Sequence, residues 1–314
     1  MPIRRRCFLL SLLPAVFAAG WRQNPSVEFI HLTDTHVVDL SGVAEPLASA
    51  RSHFRGSGAA LSAFLSGDRR PAAASFALIT GDLIDAFSFA APDGGRVYGQ
   101  IAAFERATRG SRIPLYLLLG NHDIQHYAAG ATGKPAADHS VAGQARAAWI
   151  GAVPSSFEKG TYYSVEKQAG GTRYVILMLD NGYSAAGSPD GAGLRMAHEQ
   201  AYWIRRQAEL HRGAVIILAM HIPLGADSAS QAVKAAVSGS RSPVLVLAGH
   251  NHKDGIEDIA LGETAGVQVR TAAFGYGTNN WRRIRLAPGR VEVFATGRPD
   301  QIERTIGLAR QPAH

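Results

Sequence analysis

The chain has 314 residues, of which 46% are hydrophobic and 18% are charged, and its formal net charge is +7. Without residues 1–20, which hold three arginines and no acidic residue, the charge is +4, which gives no reason to expect a nucleic-acid polymer as partner. Apolar runs spread along the sequence without a long hydrophilic linker. We therefore predict a single domain over residues 21–314.

The first twenty residues are predicted to be an export signal peptide. Three arginines at positions 4–6 precede an apolar stretch at positions 8–19. A charged start, a short apolar middle and small residues before Trp21 are typical of a secretory signal. The stretch is short and is interrupted by Pro14, which argues against a membrane span. We expect a periplasmic or secreted protein with no stable membrane anchor.

The export route has two interpretations. Arg5-Arg6-Cys7-Phe8-Leu9 is similar to the twin-arginine signal, which exports folded proteins and would suit a protein that loads metals inside the cell. The alternative is an ordinary secretory signal with a chance arginine cluster. Removal of residues 1–20 lowers the net charge from +7 to +4, because three arginines and no acidic residue leave. It also removes Cys7, the only cysteine, so that His, Asp and Asn remain as metal ligands.

Five apolar, strand-like runs occur in chain order, and each ends in a short polar cluster. The runs are Val27–Leu32, Phe76–Thr80, Pro114–Leu119, Ala214–Met220 and Pro243–Ala248. The clusters after them are Asp34-Thr-His36, Gly81-Asp82-Leu-Ile-Asp85, Gly120-Asn121-His122-Asp123, His221 and Gly249-His250-Asn-His252. Strands that are apolar on both faces predict an α/β fold with one sheet covered by helices on both sides and a site beyond the strand ends.

Helices are predicted between these strands, at 59–65, 98–108, 144–150 and 194–210. After the last cluster, further strands are predicted at 267–273, 281–286 and 291–294. Two stretches rich in Gly, Ala and Pro, 85–98 and 123–140, each begin at a polar cluster. They are predicted to be loops that shape a substrate pocket, with solvated connectors as the alternative.

The residue types and spacings of the clusters predict metal binding. Asp34 and His36 are two residues apart, so on an extended strand end they point to the same side and can share one ion. His250 and His252 have the same spacing. Either pair alone occurs by chance in many sequences, but five clusters at five strand ends reinforce one another. Seven oxygen and nitrogen ligands are enough for two neighbouring metal ions.

The whole series of clusters resembles the calcineurin-like metallophosphoesterase superfamily, from about Val27 to His252. The resemblance implies a four-layer α/β/β/α sandwich with a dimetal site at the strand ends. It also implies two ligand sets, the first being Asp34, His36, Asp82 and His252, and the second Asp82, Asn121, His221 and His250. Asp82 would bridge the ions, because a carboxylate has two oxygens to share whereas an imidazole offers a metal one nitrogen at a time.

The resemblance further implies hydrolysis of a phosphate ester by attack of a metal-bridging hydroxide. Two cations about 3.5 to 4 Å apart lower the pKa of a bridging water and clamp the phosphate oxygens. Nitrogen and oxygen sites of this kind accept Fe, Mn, Zn or Co according to supply. A tyrosinate-bound ferric ion is not expected, because Asp85 stands where phosphatases of the purple type have a tyrosine.

By the same resemblance, His122 and Asp85 are the predicted catalytic residues. His122 would face the substrate and donate a hydrogen bond or proton to the leaving oxygen, with Asp85 as its partner. A helix N-cap is the alternative for Asp85.

Other polar and aromatic residues have two interpretations each. His126 could reach the pocket or lie in a solvated loop, and Asp180-Asn181 could support the site or form a turn. The aromatic segment 274–281 could stack on a base or ring, or belong to the core. The histidines interpreted as ordinary packing or surface residues are His31, His53, His139, His198 and His211.

The leading hypothesis is an exported phosphoesterase that acts on a small-molecule phosphate ester. A phosphodiester is favoured because His31-Leu-Thr-Asp34-Thr-His36 and Gly120-Asn-His-Asp123 resemble the cyclic-nucleotide phosphodiesterase branch of the superfamily. Phosphomonoesters and nucleotide pyrophosphates are the alternative substrates, since loops set the choice. A binding module without catalysis and a metalloenzyme with non-phosphate chemistry are the alternatives from other classes.

Overall fold

The computed structural model describes residues 25–67, 70–130, 134–182, 192–238, 244–262 and 264–308. The predicted export signal lies outside the described residues. Within the described ranges, no helix has both the length and the apolar character needed to cross a membrane.

Strands and helices alternate through the first two thirds of the described chain, and strands dominate the last third. The strands are β1 Val27–Leu32, β2 Ala74–Thr80, β3 Ser88–Ala90, β4 Arg96–Val97, β5 Leu115–Leu118, β6 His126–Ala129, β7 Pro135–Asp138, β8 Tyr163–Ala169, β9 Thr172–Met178, β10 Val215–Ala219, β11 Val244–Ala248, β12 Gly255–Leu261, β13 Thr264–Arg270, β14 Arg282–Ala287, β15 Arg290–Ala295 and β16 Arg298–Gly307. The helices are α1 Leu47–Ala50, α2 Ser57–Ser66, α3 Gln100–Thr108, α4 Ala142–Ala152, α5 Pro154–Phe157, α6 Ala192–Leu210 and α7 Ser228–Val237. The predicted strands and helices all overlap elements of the structure.

Two six-stranded sheets form the centre of the molecule. The first has the strand order β16-β15-β14-β1-β2-β5, in which β1, β2 and β5 run parallel. The second has the order β12-β13-β11-β10-β9-β8, with β13, β11, β10 and β9 parallel between two antiparallel edge strands. Parallel neighbours need crossover connections, and most of the helices lie in these connections.

The two sheets share one apolar core. Phe29 of β1 and Ile217 of β10 belong to the same buried cluster, whereas Ile30 of β1 packs in a different cluster with helices α2, α3 and α4. A third cluster joins the outer face of the second sheet to α6 and α7. The α/β class is as predicted, but the expectation of one sheet with helices on both faces is wrong. The parallel strands β1, β2, β5, β9, β10 and β11 are apolar on both faces because one face meets helices and the other meets the opposite sheet.

The two stretches predicted as loops, 85–98 and 123–140, contain a third sheet. It has the order β4-β3-β6-β7, and β3 pairs with β6 through Ser88–His126 and Phe89–Tyr127. A small cluster that includes Phe89 and Tyr127 packs beneath it together with residues of α1. Strands of two to four residues are too short to show the alternation that identifies a strand in a sequence. The sheet ties together the segments that follow the second and third polar clusters.

Candidate metal centre

The five polar clusters meet at one edge of the two central sheets. Each follows the carboxyl end of a parallel strand: β1, β2 and β5 in the first sheet, and β10 and β11 in the second. The backbone N–H of His250 donates to Asp34 Oδ2 at 3.0 Å, and His221 Nδ1 lies 2.8 Å from the carbonyl oxygen of Thr80. These contacts cross from one sheet to the other, so the packing of the sheets fixes the geometry of the cluster.

The first predicted ligand set is closely grouped. His36 Nε2 lies 3.2 Å from His252 Nε2 and 3.9 Å from both Asp34 Oδ1 and Asp82 Oδ2. His252 Nε2 lies 3.3 Å from Asp34 Oδ1. One donor atom from each of these four residues lies within 4.8 Å of the others. Two ligand bonds of about 2.1 Å to one cation span such separations.

The second predicted ligand set is grouped beside the first. His221 Nε2 lies 3.1 Å from Asp82 Oδ2 and 3.3 Å from His250 Nδ1. His250 Nδ1 lies 3.1 Å from Asn121 Oδ1. Asp82 belongs to both groups of donor atoms, as a bridging carboxylate must. The structure therefore brings all seven predicted ligands into one cluster.

Strained backbone coincides with these residues. Among the described residues, the non-glycine residues with positive φ are Asp34 (52°), His36 (43°), Asp82 (48°), His250 (69°) and His252 (58°). This left-handed region costs a residue with a Cβ roughly 1 to 2 kcal/mol. Such strain is found at functional sites, where the surrounding structure holds it in place. All five residues are predicted ligands, so the strain is an independent sign that this edge is the functional site.

Two glycines allow the strand ends to approach one another. A Cβ on Gly120 would overlap the backbone nitrogen and Oδ1 of Asp82, and a Cβ on Gly249 would overlap Thr33 Oγ1 and Asp34 Oδ2. The glycine that precedes each of these ligand clusters is thus required by close contact with an acidic ligand residue.

Opposite charges balance inside the cluster. Burial disfavours the charged forms, but the neighbouring Asp82 and Asp34 carboxylates outweigh burial at His221 and raise its pKa to about 9. Burial also opposes ionisation of Asp82, yet His221 and His122 hold its pKa well below the usual range. Burial together with His221 lowers the pKa of His250 to about 4. The positive charge of protonated His221 offsets the negative charge of the buried carboxylates. Bound cations would supply that positive charge instead.

The residues present fit two cations. Asp34 Oδ1 is buried and has no hydrogen-bond partner of acceptable geometry among the described residues, although three imidazole nitrogens lie within 3.3–4.0 Å of it. An orphaned carboxylate oxygen is costly to bury unless a cation or donor reaches it. A set of imidazole, carboxylate and amide donors without thiolate suits first-row divalent metals.

His122 lies at the mouth of this cluster. Its Nδ1 lies 2.7 Å from the carbonyl oxygen of Asp85, and its Nε2 lies 3.8 Å from Asp82 Oδ2. Because a carbonyl oxygen can only accept, Nδ1 carries a proton and donates it to Asp85. Asp85 thus contacts His122 through its main chain, whereas the Asp85 carboxylate is 3.7 Å away. Burial is the main cause that lowers the pKa of His122.

The Asp85 carboxylate is engaged by Arg51, a residue that sequence reasoning missed. Arg51 Nε donates to Asp85 Oδ2 at 2.7 Å, and Arg51 Nη2 donates to Oδ1. Burial opposes ionisation of Asp85, but Arg51 and His36 outweigh it and lower the pKa to about 2. Asp85 leads into β3 and not into a helix, so it is no N-cap. No local pattern marks Arg51, because its partner is 34 positions away.

Two further residues position the cluster from behind. Asp123 accepts the backbone N–H groups of Ile84 and Gly120, and burial together with Asp82 raises its pKa to about 8. Asn181 Oδ1 accepts the backbone N–H of His221 at 2.8 Å, which orients the strand end. Asn181 therefore supports the site, which is one of the two roles that the sequence allowed for it.

Other sequence candidates lie away from the ligands. Asp180 is bound by Arg146 and Thr161, and His126 contacts Ser88 within the third sheet. His31 is fully buried between two threonine hydroxyls, which is the packing role expected of it.

A mixed α/β fold that gathers His, Asp and Asn donors at its strand ends suits a metal centre. The family model described as calcineurin-like phosphoesterase matches residues 27–254. The chain belongs to the calcineurin-like phosphoesterase family and is a metal-dependent phosphoric ester hydrolase.

Comparison with solved structures supports the fold. The chain is similar to a dimetal phosphatase from Danio rerio, with 15% sequence identity and a TM-score of 0.58, over 90% of this chain and 99% of that one. A search of curated protein sequences gave no match.

Proposed function

We propose that this chain is an exported dinuclear phosphodiesterase. The proposal rests on the grouping of the seven predicted ligands in one cluster, with Asp82 in both halves and Asn121 joined to it through His250. When bound, two cations would polarise the phosphoryl oxygens and acidify an attacking water. Asp34, His36, Asp82 and His252 would hold one of them, and Asp82, Asn121, His221 and His250 the other. Fe, Mn, Zn and Co all suit these donors.

His122 is proposed as the proton donor to the leaving oxygen. Its side chain is 15% exposed, and the hydrogen bond from Nδ1 to Asp85 directs Nε2 toward the cluster and the solvent beyond it. Nε2 carries a proton only in the protonated ring, a form that burial disfavours by lowering the pKa of His122; in that form Nε2–H donates to the departing oxygen while Nδ1–H stays bound to the carbonyl. Asp85 then acts by orienting His122 with its main chain, and its carboxylate lies 3.3 Å from His36 Nδ1.

The charge of the site supports a diester substrate. Arg51 reaches the cluster, but its guanidinium is already bound to Asp85 by two hydrogen bonds. It is therefore not free to neutralise the second negative charge of a phosphate monoester. A phosphodiester carries one charge and makes a smaller demand for cationic groups.

Hydrolysis of two aryl phosphates tests the substrate proposal. The purified protein with added Mn²⁺ should hydrolyse bis(p-nitrophenyl) phosphate with a higher kcat/KM than p-nitrophenyl phosphate. Asp82→Asn serves as the control, because it removes the shared carboxylate. A strong preference for the monoester would overturn the diester proposal, and elemental analysis of the same preparation would identify the metals.

Export is proposed from residues 1–20 and is tested separately. A reporter fused to this segment should be exported, and export should stop when the twin-arginine route is blocked. Lysine at positions 5 and 6 is the matched control, since it keeps the charge but not the arginine pair. Export that persists without the twin-arginine route would contradict that part of the proposal.

A further inference from the structure

Two exposed aromatic rings border the candidate metal centre. Tyr276 is 58% exposed, and its ring centroid lies 5.1 Å from that of His252. The ring of His53, also exposed, lies nearly parallel to Tyr276, with centroids 5.7 Å apart and planes 12° apart. The two nearly parallel rings lie next to a predicted ligand of the first ion. We call this pair of rings the Tyr276 platform.

The platform is connected to the centre through packed rings. Phe54 is buried and lies between Tyr276, at 5.0 Å, and His36, on which it stacks at 4.4 Å with planes 17° apart. The guanidinium carbon of Arg51, which binds Asp85, lies 5.0 Å from the centroid of the Phe54 ring. The segment that carries His53 and Phe54 is therefore held against the site by several contacts.

Tyr276 stands on a rigid element. The turn Phe274–Tyr276 donates two backbone hydrogen bonds to the first polar cluster, from Phe274 to Thr33 at 3.0 Å and from Gly275 to Asp34 at 2.9 Å. A Cβ on Gly275 would come within 3.2 Å of the Asp34 carbonyl oxygen, so the two backbones are in close contact. Tyr276 thus follows a residue whose backbone is held by Asp34, a predicted metal ligand.

The exposure of Tyr276 is not explained by the core. Its neighbours Phe274 and Trp281 are buried, as expected for an aromatic segment that belongs to the core. Tyr276 contributes little burial, yet the fold fixes it beside the site. A large, fixed and exposed ring next to a reaction centre can recognise the flat face of another ring, since aromatic stacking is worth about 1 to 3 kcal/mol per base.

We propose that the Tyr276 platform binds a planar aromatic ring of the substrate, in the manner of a nucleobase or aryl group stacked on Tyr276. Tyr276 would be a specificity-determining residue, and the preferred substrates would be phosphate esters that carry such a ring. This inference rests on the proposed phosphoester hydrolysis and narrows its substrate class.

Equilibrium binding tests the platform without turnover. Calorimetric titration of the full protein, loaded with Mn²⁺, uses phosphonates because their carbon–phosphorus bond is not hydrolysed. One pair compares the phosphonate analogues of adenosine 5′-monophosphate and ribose 5-phosphate, and another compares benzylphosphonate with ethylphosphonate. We expect the ring-bearing member of at least one pair to bind roughly tenfold more tightly.

Variants assign this preference to Tyr276. Tyr276→Ala should abolish it, and Tyr276→Phe should retain it because the ring remains. Tyr202→Ala is the matched control, since Tyr202 is 64% exposed on α6. A preference in the first pair alone identifies a nucleobase, and one in both pairs identifies any aromatic ring. Equal affinities within both pairs, or a preference that survives Tyr276→Ala, would overturn the inference. Failure of the diester proposal would instead appear in turnover and leave these binding ratios unchanged.

Discussion

The contacts of His122 favour a role in catalysis over a role as a metal ligand. Its Nδ1 is held by the Asp85 carbonyl at 2.7 Å, which leaves only Nε2 to face the centre. We predict that His122→Ala lowers kcat by roughly 10² to 10⁴-fold, the usual range for loss of a general acid, while metal content stays near that of the wild type. Steady-state kinetics and elemental analysis of the same sample check this. Loss of metal in proportion to activity would make His122 a ligand instead.

Arg51 supports the site through one buried carboxylate. Its side chain is 16% exposed, and Asp85 is fully buried. Replacement of Arg51 by methionine leaves that carboxylate without its cation, so we expect the free energy of unfolding to fall by about 3 kcal/mol. Urea unfolding measures the change. The double variant with Asp85→Asn should recover part of it, because the charge that needed Arg51 is then gone, whereas equal losses in both variants would show that Arg51 acts by packing alone.

Among the secondary-structure elements, the sequence predicted those that hydrophobic periodicity and the spacing of the polar clusters indicate. Val27–Leu32 is a strand with the predicted bounds, and the polar clusters lie at strand ends because apolar runs stop where ligands begin. Helix α7 was missed, although Asp227 caps it by accepting the N–H of Ser230. Its apolar residues are alanine and valine, and valine is more typical of strands, so the residue types of the segment did not single out a helix.

Contacts between segments that are distant along the chain could not be predicted from the sequence. Arg51 meets Asp85, and Tyr276 meets His53, across separations that no local pattern reports. The pairing of Asp85 with His122 through a main-chain carbonyl was equally invisible, because residue type says nothing about main-chain contacts. A motif therefore predicts which residues form a site, but it does not predict which of their atoms make the contacts.

The turn before the last ligand pair tests how tightly the strand ends fit. A methyl group at Gly249 would overlap Thr33 Oγ1 and Asp34 Oδ2, so we predict that Gly249→Ala displaces His250 and His252 and lowers metal occupancy at least severalfold. Elemental analysis after gel filtration measures occupancy. Gly143→Ala is the control, since nothing lies within 4 Å of a Cβ there and alanine favours helix α4. Full occupancy in Gly249→Ala would show that the strand end can shift without cost.

For the molecule as a whole, cations should stabilise the fold. The cluster joins both central sheets, so binding to the native state and not to the unfolded chain raises the free energy of unfolding, by about 2.7 kcal/mol at a cation concentration of 100 Kd. We predict that chelation lowers the thermal midpoint and that Mn²⁺ restores it, as measured by scanning calorimetry. In Asp82→Asn the response to Mn²⁺ should largely disappear, and an undiminished response would place the stabilising cation elsewhere.

A second determinant of global stability lies far from the metal centre, where β1 pairs with β14. Glu28 is buried and accepts hydrogen bonds from Arg283 Nε at 2.8 Å and Arg285 Nε at 2.7 Å. Burial opposes ionisation of Glu28, but the two arginines outweigh it and hold its pKa below the ordinary 4.5. A lowered pKa means that the stabilisation is fully present above the unfolded value and is lost as the pH falls through the folded value.

Glu28→Gln should therefore be less stable than the wild type at pH 7, by about 1 to 3 kcal/mol for hydrogen bonds to charged groups. The difference should shrink as the pH falls below 4.5, because the unfolded carboxylate takes up its proton first and the folded carboxylate does so only at its lower pKa. Urea unfolding at pH 7, 5 and 3.5 gives the profile. Asp258→Asn is the control, since the pair of Asp258 with Arg304 is exposed and should change stability by less than about 1 kcal/mol at every pH. A Glu28→Gln effect that is constant across this range would mean that shape at the β1–β14 pair, and not the charge of Glu28, stabilises the sheet.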